Sequence, residues 1–410
     1  MDKINPSDVS RRRLLQAGAG GAVGAVLCGE QQVTAIGASD NPSIYEQLGI
    51  QPMINAAGTI TALGGSLMPP EVIAAWVAAA AEFVDLLELQ DRVGERIARG
   101  IGVEAAMVTT GAAGGILLGT AAALTYRDRS LVSRLPLPTE MGMEVLRQPS
   151  HRACYDHQVL SCGVRLVDVA TREELERAIS TRTAMMFSYN IHEAEGRISQ
   201  PEWLEVARAR QIPTLLDAAA DVPPVDALRN FSAAGFDMVV FSGGKALQGP
   251  QDAGLLLGRK DLIEAAKRNT SPHCGTIGRA LKVSKEDMVG MWAAVERYLQ
   301  LDHKAQEQEL EQRLAIIEQT LREIPTVSTR RIVPPRANRF PHLLIFWDEQ
   351  RLGLRYPQMK ERLAAGKPPI ATARVHGTGD DGFLISVFTL KPGQAEIVGE
   401  RLRTILLSVA

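Results

Sequence analysis

Three short apolar runs in this sequence lead directly into residues that can do chemistry. They lead into Gly111-Ala112-Ala113-Gly114-Gly115, into Asp217, and into Ser242-Gly243-Gly244-Lys245. Each run has the length and composition of a buried strand. In an open α/β sheet, ligands lie at the carboxyl ends of the strands. We therefore expect these residues to form one site.

The first of these stretches predicts a phosphate site. Backbone N–H groups of Thr110, Gly111 and Ala112, with the dipole of a helix predicted over Ile116 to Tyr126 behind them, would bind an anion. Small residues at such a turn also allow a helix to pack tightly on a sheet, and this alternative stays open.

The second stretch ends an apolar strand on a carboxylate, Asp217. Burying a carboxylate is unfavourable unless it meets a cation, and the protonated ring nitrogen of pyridoxal 5′-phosphate (PLP) is such a cation. A helix N-cap or a structural ion pair is the alternative for Asp217.

The third stretch places Lys245 in a tight turn after two glycines. Desolvation lowers the pKa of an amine and makes it a better nucleophile toward an aldehyde. The hydroxyl of Ser242 is positioned to bind a cofactor phosphate. Phosphate turn, strand-end Asp and strand-end Ser-x-x-Lys follow the chain order of a PLP site, so we predict that Lys245 carries PLP as a Schiff base.

The elements that position these residues alternate between strand and helix. We predict strands at Ala106 to Thr110, Thr183 to Tyr189, Thr214 to Asp217, Met238 to Phe241 and Ala253 to Gly258. This alternation indicates a doubly wound, mostly parallel sheet. A charged amphipathic segment from Lys285 to about Ile324 follows, and a smaller α/β lobe is predicted after it. The predicted boundaries are a leader over 1–38, an extended arm over 39–68, a large domain over 69–295 and a small domain over 296–410.

The chain from about Gln51 onward resembles the fold-type-I PLP enzymes of the selenocysteine synthase (L-seryl-tRNA(Sec) selenium transferase) family. Within it, the chain is most similar to the tRNA-independent branch typified by D-glucosaminate-6-phosphate ammonia-lyase. The motifs are Ile54-Asn55-Ala56-Ala57-Gly58-Thr59, Leu63-Gly64-Gly65-Ser66, the lysine loop from Phe241 to Gln251, and Gly278-Arg279-Ala280-Leu281-Lys282. The resemblance implies the aspartate-aminotransferase fold, with Lys245 as the Schiff-base lysine and Asp217 as the ring-nitrogen partner.

Further site residues follow from this resemblance. It implies that Arg374 binds a substrate carboxylate as a bidentate pair, although a surface strand arginine is the alternative. We also predict Asn55 and Thr59 as substrate contacts. Enzymes of this fold cover the cofactor with an aromatic or histidine ring. His151, Tyr155 and His157 compete for that role, and we favour His151, with Tyr155 or His157 as acid/base groups. The alternative for each is an ordinary polar residue of a loop.

The remaining contacts are assigned by position in the chain. Asn190 is expected at the cofactor ring oxygen or the substrate, and His192 at the substrate. His273 and Thr276 are candidates to reach a neighbouring subunit's phosphate, because such sites lie across a homodimer or higher homo-oligomer interface.

Composition narrows the partners. The net charge of −2, from 45 basic and 47 acidic residues, argues against nucleic acid as a partner. The four cysteines show no metal-ligand spacing, so no metal is expected. Tandem arginines at Ser10-Arg11-Arg12-Arg13-Leu14-Leu15, followed by a short Gly/Ala-rich run, predict a leader for the twin-arginine translocase and a periplasmic protein without a stable membrane anchor. A disordered basic tail is the alternative.

We expect a small-molecule amino acid or amino sugar acid as substrate. Lys245 would abstract its α-proton, and elimination of a β-substituent would release ammonia and a 2-keto acid. Racemisation, aldol cleavage and transamination begin with the same step and stay open. Because the tRNA-charging members carry an extra N-terminal domain, we do not expect selenocysteine synthesis. A catalytically silent periplasmic binding protein is the rival from another class.

Overall fold

A computed structural model describes residues 43–372 and 382–409 of the chain. The predicted leader and Arg374 lie outside these residues. The chain divides into a unit ending at Ile50 and a body that begins at Gln51. The boundaries predicted for the domains stay a prediction.

The helices are α1 (Ile44–Gln47), α2 (Pro70–Ala80), α3 (Leu86–Ile101), α4 (Gly111–Thr125), α5 (Asp156–Leu160), α6 (Arg172–Ala178), α7 (Gln200–Ala209), α8 (Ala227–Ala234), α9 (Lys260–Arg268), α10 (Lys285–Gln300), α11 (His303–Leu321), α12 (Glu349–Leu352), α13 (Tyr356–Ala364) and α14 (Gln394–Leu407). The strands are β1 (Ile54–Asn55), β2 (Ala105–Thr110), β3 (Glu144–Arg147), β4 (Arg165–Asp168), β5 (Thr183–Tyr189), β6 (Thr214–Asp217), β7 (Met238–Ser242), β8 (Ala253–Gly258), β9 (Val327–Ile332), β10 (His342–Trp347), β11 (Ile370–Ala371) and β12 (Phe383–Ser386).

The main sheet has seven strands in the order β2-β8-β7-β6-β5-β3-β4. The run from β7 to β4 is parallel, and β8 is antiparallel to both of its neighbours. This confirms the predicted doubly wound, mostly parallel sheet. The carboxyl ends of the parallel strands therefore meet at one edge.

Both faces of this sheet are buried, which explains why its strands read as continuous apolar runs. Alternate residues point to opposite faces. Met107, Leu215 and Val240 belong to the core cluster that includes residues of α4 and α9, whereas Val108 and Leu216 belong to the cluster that includes residues of α3 and α10.

The later part of the body contains a three-stranded antiparallel sheet, β12-β10-β9, and α11 packs on α14. A separate parallel pair joins β1 near the start of the body to β11. Among the described residues, no helix combines the length and the hydropathy that crossing a bilayer requires.

Some local expectations need correction. Gly111–Gly115 is the first part of α4 and does not form a turn before a helix that starts at Ile116. The segment from Lys285 to Ile324 forms two helices. The first helix ends before Leu301, and the Asp302 side chain caps α11 by accepting the Lys304 and Ala305 N–H groups. The segment expected to be extended contains α1 and a 3-10 turn over Thr61–Leu63.

Candidate active site

Strand register brings the predicted cofactor residues to one edge of the sheet. Thr110 at the end of β2 pairs with Ala253, and Ser242 at the end of β7 pairs with the next residue of β8, Gly254. On the other side of β7, Tyr189 at the end of β5 pairs with Asp217 at the end of β6. Neighbouring strands are about 4.8 Å apart, so these side chains span a width suited to a small cofactor.

The N-terminus of α4 has an unused hydrogen-bonding group. Thr110 is the N-cap residue, but its side chain does not cap the helix, and its buried Oγ1 has no hydrogen-bond partner among the described residues. Gly111 has a φ of +62°, a conformation that favours glycine. The free first-turn N–H groups and the orphaned hydroxyl suit a phosphate.

The glycines of α4 also permit close packing, as the alternative interpretation predicted. A Cβ on Gly114 would lie 2.3 Å from Thr110 Oγ1, and one on Gly115 would lie 2.8 Å from Val240 Cγ1. The glycine cluster therefore serves two purposes: it brings the helix onto the sheet and leaves its N-terminus open.

Asp217 is buried at the end of β6, and its Oδ1 accepts a hydrogen bond from the Ala219 N–H at 2.9 Å. Burial raises the pKa of Asp217 to about 6, although the Ala219 N–H and the nearby Lys245 charge oppose this shift. A cationic ligand would stabilise the ionised form of this buried carboxylate. A protonated ring nitrogen would meet that need.

Lys245 lies in the turn after β7, where burial lowers the pKa of its amine and the charges of Asp217 and Asp221 oppose this shift. The turn has no space for larger residues at its glycines. A Cβ on Gly243 would lie 2.5 Å from Met291 Sδ, and one on Gly244 would lie 2.6 Å from Gln251 Cα. The two glycines are therefore required by packing.

The Gly64-Gly65-Ser66 motif lies against this lysine turn. The Ser66 N–H donates to the Gly244 carbonyl at 2.8 Å, and the Ser66 hydroxyl lies 3.0 Å from that carbonyl and 2.7 Å from the Lys245 carbonyl. A motif distant in sequence thus holds the backbone of the lysine. Ser66 was not among the predicted site residues.

His151 is completely buried, and its Nδ1 accepts the Tyr189 N–H at 3.1 Å. This bond places the ring proton on Nε2, which is buried and has no partner among the described residues. Burial is the main effect that lowers the pKa of His151 to about 4, and the neighbouring His192 adds to it. The ring is therefore neutral at physiological pH, with an N–H free to donate.

The other ring candidates are more open. Tyr155 is 45% exposed and lies within electrostatic range of Asp217, and His157 is exposed on α5. The His192 ring is 6.4 Å from the His151 ring, and its Nδ1 is 3.4 Å from a Glu195 carboxylate oxygen. The choice among His151, Tyr155 and His157 as the ring over the cofactor stays a prediction.

Asn190 has both ends of its amide engaged. Its Oδ1 accepts from Gln200 Nε2 at 2.9 Å, and its side chain hydrogen bonds Asp221. Asp221 is a buried carboxylate that we did not predict, although it follows the same apolar strand four residues after Asp217. That spacing was the available signal.

The predicted substrate residues are distributed over other segments. The Asn55 side chain forms a turn with the Ala57 N–H and the Gly58 carbonyl, each at 3.0 Å. The Thr59 hydroxyl lies 3.1 Å from Asn338 Oδ1, and the Asn338 N–H donates to the Ala220 carbonyl at 2.7 Å. Thr59 is thereby connected to the loop after β6. The role predicted for Arg374 falls outside the described residues.

His273 and Thr276 lie together in the loop after α9, where the Thr276 hydroxyl donates to the His273 carbonyl at 3.0 Å. Their predicted contact with a second subunit stays a prediction. Among the described residues, no cluster of His, Cys, Asp and Glu could hold a metal ion.

Two solved structures define the class of protein. "Structure of D-Glucosaminate-6-phosphate Ammonia-lyase" aligns with a TM-score of 0.78 and 32% identity, covering 90% of this chain and 99% of that one. A structure of SPT with PLP aligns with a TM-score of 0.52 and 14% identity, covering 87% and 88%. This chain has the fold of the fold-type-I PLP enzymes, and its strand-end residues fit that cofactor.

Sequence relatives place the chain within that class. The chain is 39% identical over 270 residues to the D-glucosaminate-6-phosphate ammonia lyase of Salmonella typhimurium (strain 14028s / SGSC 2262), covering 63% of this chain and 71% of the relative. It is 30% identical over 339 residues to the 5'-C-glycyluridine monooxygenase-decarboxylase of Streptomyces sp, covering 80% and 83%. The profile of the family described as SelA, L-seryl-tRNA selenium transferase, matches residues 53–333. The chain belongs to this family.

Proposed function

We propose that this chain is a PLP-dependent carbon-nitrogen lyase that acts on a small amino acid or amino sugar acid. The observation that carries the proposal is the placement of Asp217 and Lys245 at the carboxyl ends of the paired strands β6 and β7, where burial favours the neutral form of each group and the charge of the other opposes that shift. The ammonia lyase from Salmonella supports the reaction type, since it is similar along most of its length.

The residues of the site divide the work. The first-turn N–H groups of α4, with Thr110 Oγ1 and Ser242, would hold the phosphate, and Asp217 would keep the ring nitrogen protonated. His151 would lie against the ring face. When bound, PLP supplies an electron-withdrawing ring that makes the substrate's α-proton acidic.

Lys245 provides the proton transfers. The free amine of Lys245 would accept the α-proton, because burial favours the neutral form of this nitrogen. The same nitrogen can then return that proton to the departing β-substituent. Loss of water or a thiol from the β-carbon, followed by hydrolysis, yields ammonia and a 2-keto acid.

The cofactor is tested by absorption and reduction. We expect the purified protein to show the visible band of a lysine-PLP Schiff base, and borohydride to fix the cofactor on the peptide that contains Lys245. Lys245→Ala should lose both signals, whereas Lys260→Ala, at an exposed position, should retain them. A colourless wild-type protein with no adduct would contradict the proposal.

The reaction is tested by product release. D- and L-amino acids and amino sugar acids are incubated with the protein while ammonia and keto acid are measured. Equal amounts of both products support the lyase, whereas inversion of configuration, aldehyde release or amino transfer would assign a racemase, aldolase or aminotransferase. Binding of these compounds without turnover would instead support the silent binding protein.

The alternative reactions have support of their own. The Streptomyces relative carries out a monooxygenase-decarboxylase reaction, according to its name, and matches 80% of this chain. The scaffold therefore does not restrict the reaction to elimination, and the product assay should include carbon dioxide.

We also propose that the protein is exported by the twin-arginine pathway, on the basis of Arg11-Arg12-Arg13 and the small-residue run after them. PLP is loaded in the cytoplasm, and this pathway carries folded proteins. We expect the periplasmic protein to begin near Ala38. Replacing the three arginines with lysine should retain it in the cytoplasm, and a periplasmic protein with an intact Met1 would overturn the proposal.

A further inference from the structure

Asp221 is held in place by groups from two distant parts of the chain. It follows β6 and is 5% exposed. Its Oδ1 accepts the Ala337 N–H at 3.1 Å, and the Asn190 side chain forms a second hydrogen bond with the carboxylate. Burial raises the pKa of Asp221, whereas both hydrogen bonds orient the carboxylate and favour its ionised form.

The segment that supplies the Ala337 N–H is itself strained. Ala337 and Asn338 have φ values of 50° and 46°, a conformation that costs roughly 1–2 kcal/mol for a residue other than glycine. The Asn338 N–H donates to the carbonyl of Ala220, the residue before Asp221. Ala337 and Asn338 thus hold Asp221 and Ala220 in the loop after β6, which indicates that the position of Asp221 is constrained.

We propose that Asp221 is a positioning residue that keeps positive charge on the nitrogen of Lys245. The inference rests on the cofactor linkage at Lys245 proposed above. Asp217 and Asp221 both lie within electrostatic range of that lysine. With the cofactor bound, the ring nitrogen would match the charge of Asp217. Asp221 is then the carboxylate whose charge still acts on the lysine nitrogen.

Several other titratable or charged groups act on Asp217 and Asp221. Arg336 acts on Asp221, and Asp217 is in turn coupled to Tyr155 and Tyr189. Burial raises the pKa of both tyrosines, so they stay neutral, and arginine stays charged, over the range in which a Schiff base is titrated. A change in that range reports on the linkage and the two carboxylates.

The test is a pH titration of the visible band in the resting enzyme, without substrate. Asp221→Asn should lower the midpoint at which the protonated linkage loses its proton by about one pH unit, because an opposite charge nearby is removed. Asp226→Asn is the matched control. It removes the same formal charge from an exposed residue of the same loop and should leave the midpoint unchanged.

A second pair of variants separates charge from folding. Asp221→Ser keeps an oxygen for the Ala337 N–H without placing an amide donor against Asn190, and it should show the same downward shift. Asp221→Glu keeps the charge and should restore much of the wild-type midpoint. Equal midpoints in wild type and both neutral variants would overturn the inference, as would an equal shift in Asp226→Asn. A wild-type protein without a visible band would instead overturn the cofactor linkage itself.

Discussion

At the scale of single residues, two atoms of the candidate site are buried polar groups without protein partners. Thr110 Oγ1 and His151 Nε2 are buried and unpaired among the described residues; Thr110 ends β2, and the His151 ring is hydrogen bonded to the end of β5. A buried polar atom without a partner is unfavourable by about 1–3 kcal/mol, so each such group calls for a ligand atom or an ordered water. Both atoms lie where the cofactor is expected.

His151 makes the stability of the apoprotein depend on pH. Its pKa is about 4 in the folded state and 6.5 in the unfolded state, so the unfolded state binds more protons between these values. Stability is therefore lost as pH falls from 6.5 toward 4. We expect His151→Gln to reduce this loss, as measured by denaturant unfolding of the apoprotein at pH 7.5 and pH 5.

The control for this experiment is His157→Gln, which changes an exposed histidine of α5 and should retain the wild-type dependence on pH. If His151→Gln and wild type lose equal stability between the two pH values, the neutral buried ring is not the cause. In that case the buried carboxylates must account for the dependence.

At the scale of elements, the lysine turn depends on a contact that the Gly64-Gly65-Ser66 motif makes from a distance. Gly65 has a φ of +69°, and a Cβ there would lie 2.5 Å from the Gly244 carbonyl oxygen. Gly64 has a φ of +85°, but a Cβ there would meet nothing within 4 Å. Substituting these two adjacent glycines therefore distinguishes the effect of backbone strain from that of a steric clash.

We expect Gly64→Ala to lower the free energy of unfolding by about 1–2 kcal/mol through its backbone conformation alone. Gly65→Ala should cost a further ~1–3 kcal/mol, because its methyl group must push the Gly244 carbonyl away. It should also release PLP faster, since Gly244 precedes Lys245. Denaturant unfolding and loss of the visible band on dialysis measure the two effects. Equal behaviour of the two variants would show that the contact is unimportant.

At the scale of the whole molecule, α2 exposes apolar surface. Val72 is its buried residue, whereas Ile73 is 45% exposed, Val77 is 56% exposed and Phe83, just beyond the helix, is fully exposed. A helix that is apolar on most sides is normally covered. We predicted a homodimer or higher homo-oligomer, and we propose that this face of α2 forms a dimer interface.

We expect the wild-type protein to be a dimer by light scattering and the double variant Ile73→Glu, Val77→Glu to be a monomer, because charges in an apolar interface are not compensated. Ile397→Glu, at a 40% exposed position on α14, should leave the dimer intact. A monomeric wild type, or a double variant that remains dimeric, would exclude this interface.

The strands and the chain order of the site could be predicted from the sequence because both depend on local signals. The apolar runs of β5, β6 and β8 match the predicted bounds, since a buried strand needs continuous apolar residues. Asp217, Ser242 and Lys245 were predicted as site residues because each lies at the end of such a run or in the turn just after it. The predicted start of α4 was wrong because the glycines that favour a turn also permit a closely packed helix.

The sequence by itself determined the fold class, the cofactor and the lysine that we expect to carry it. The tertiary structure decided which distant groups support that lysine. Ser66 reaches the carbonyls of Gly244 and Lys245 across 178 and 179 positions, and the Ala337 N–H reaches Asp221 across 116. No periodicity within a short window encodes such contacts, because they form only when the sheet and the later strands have packed together. The buried charge of Asp221 therefore became visible only in the folded chain.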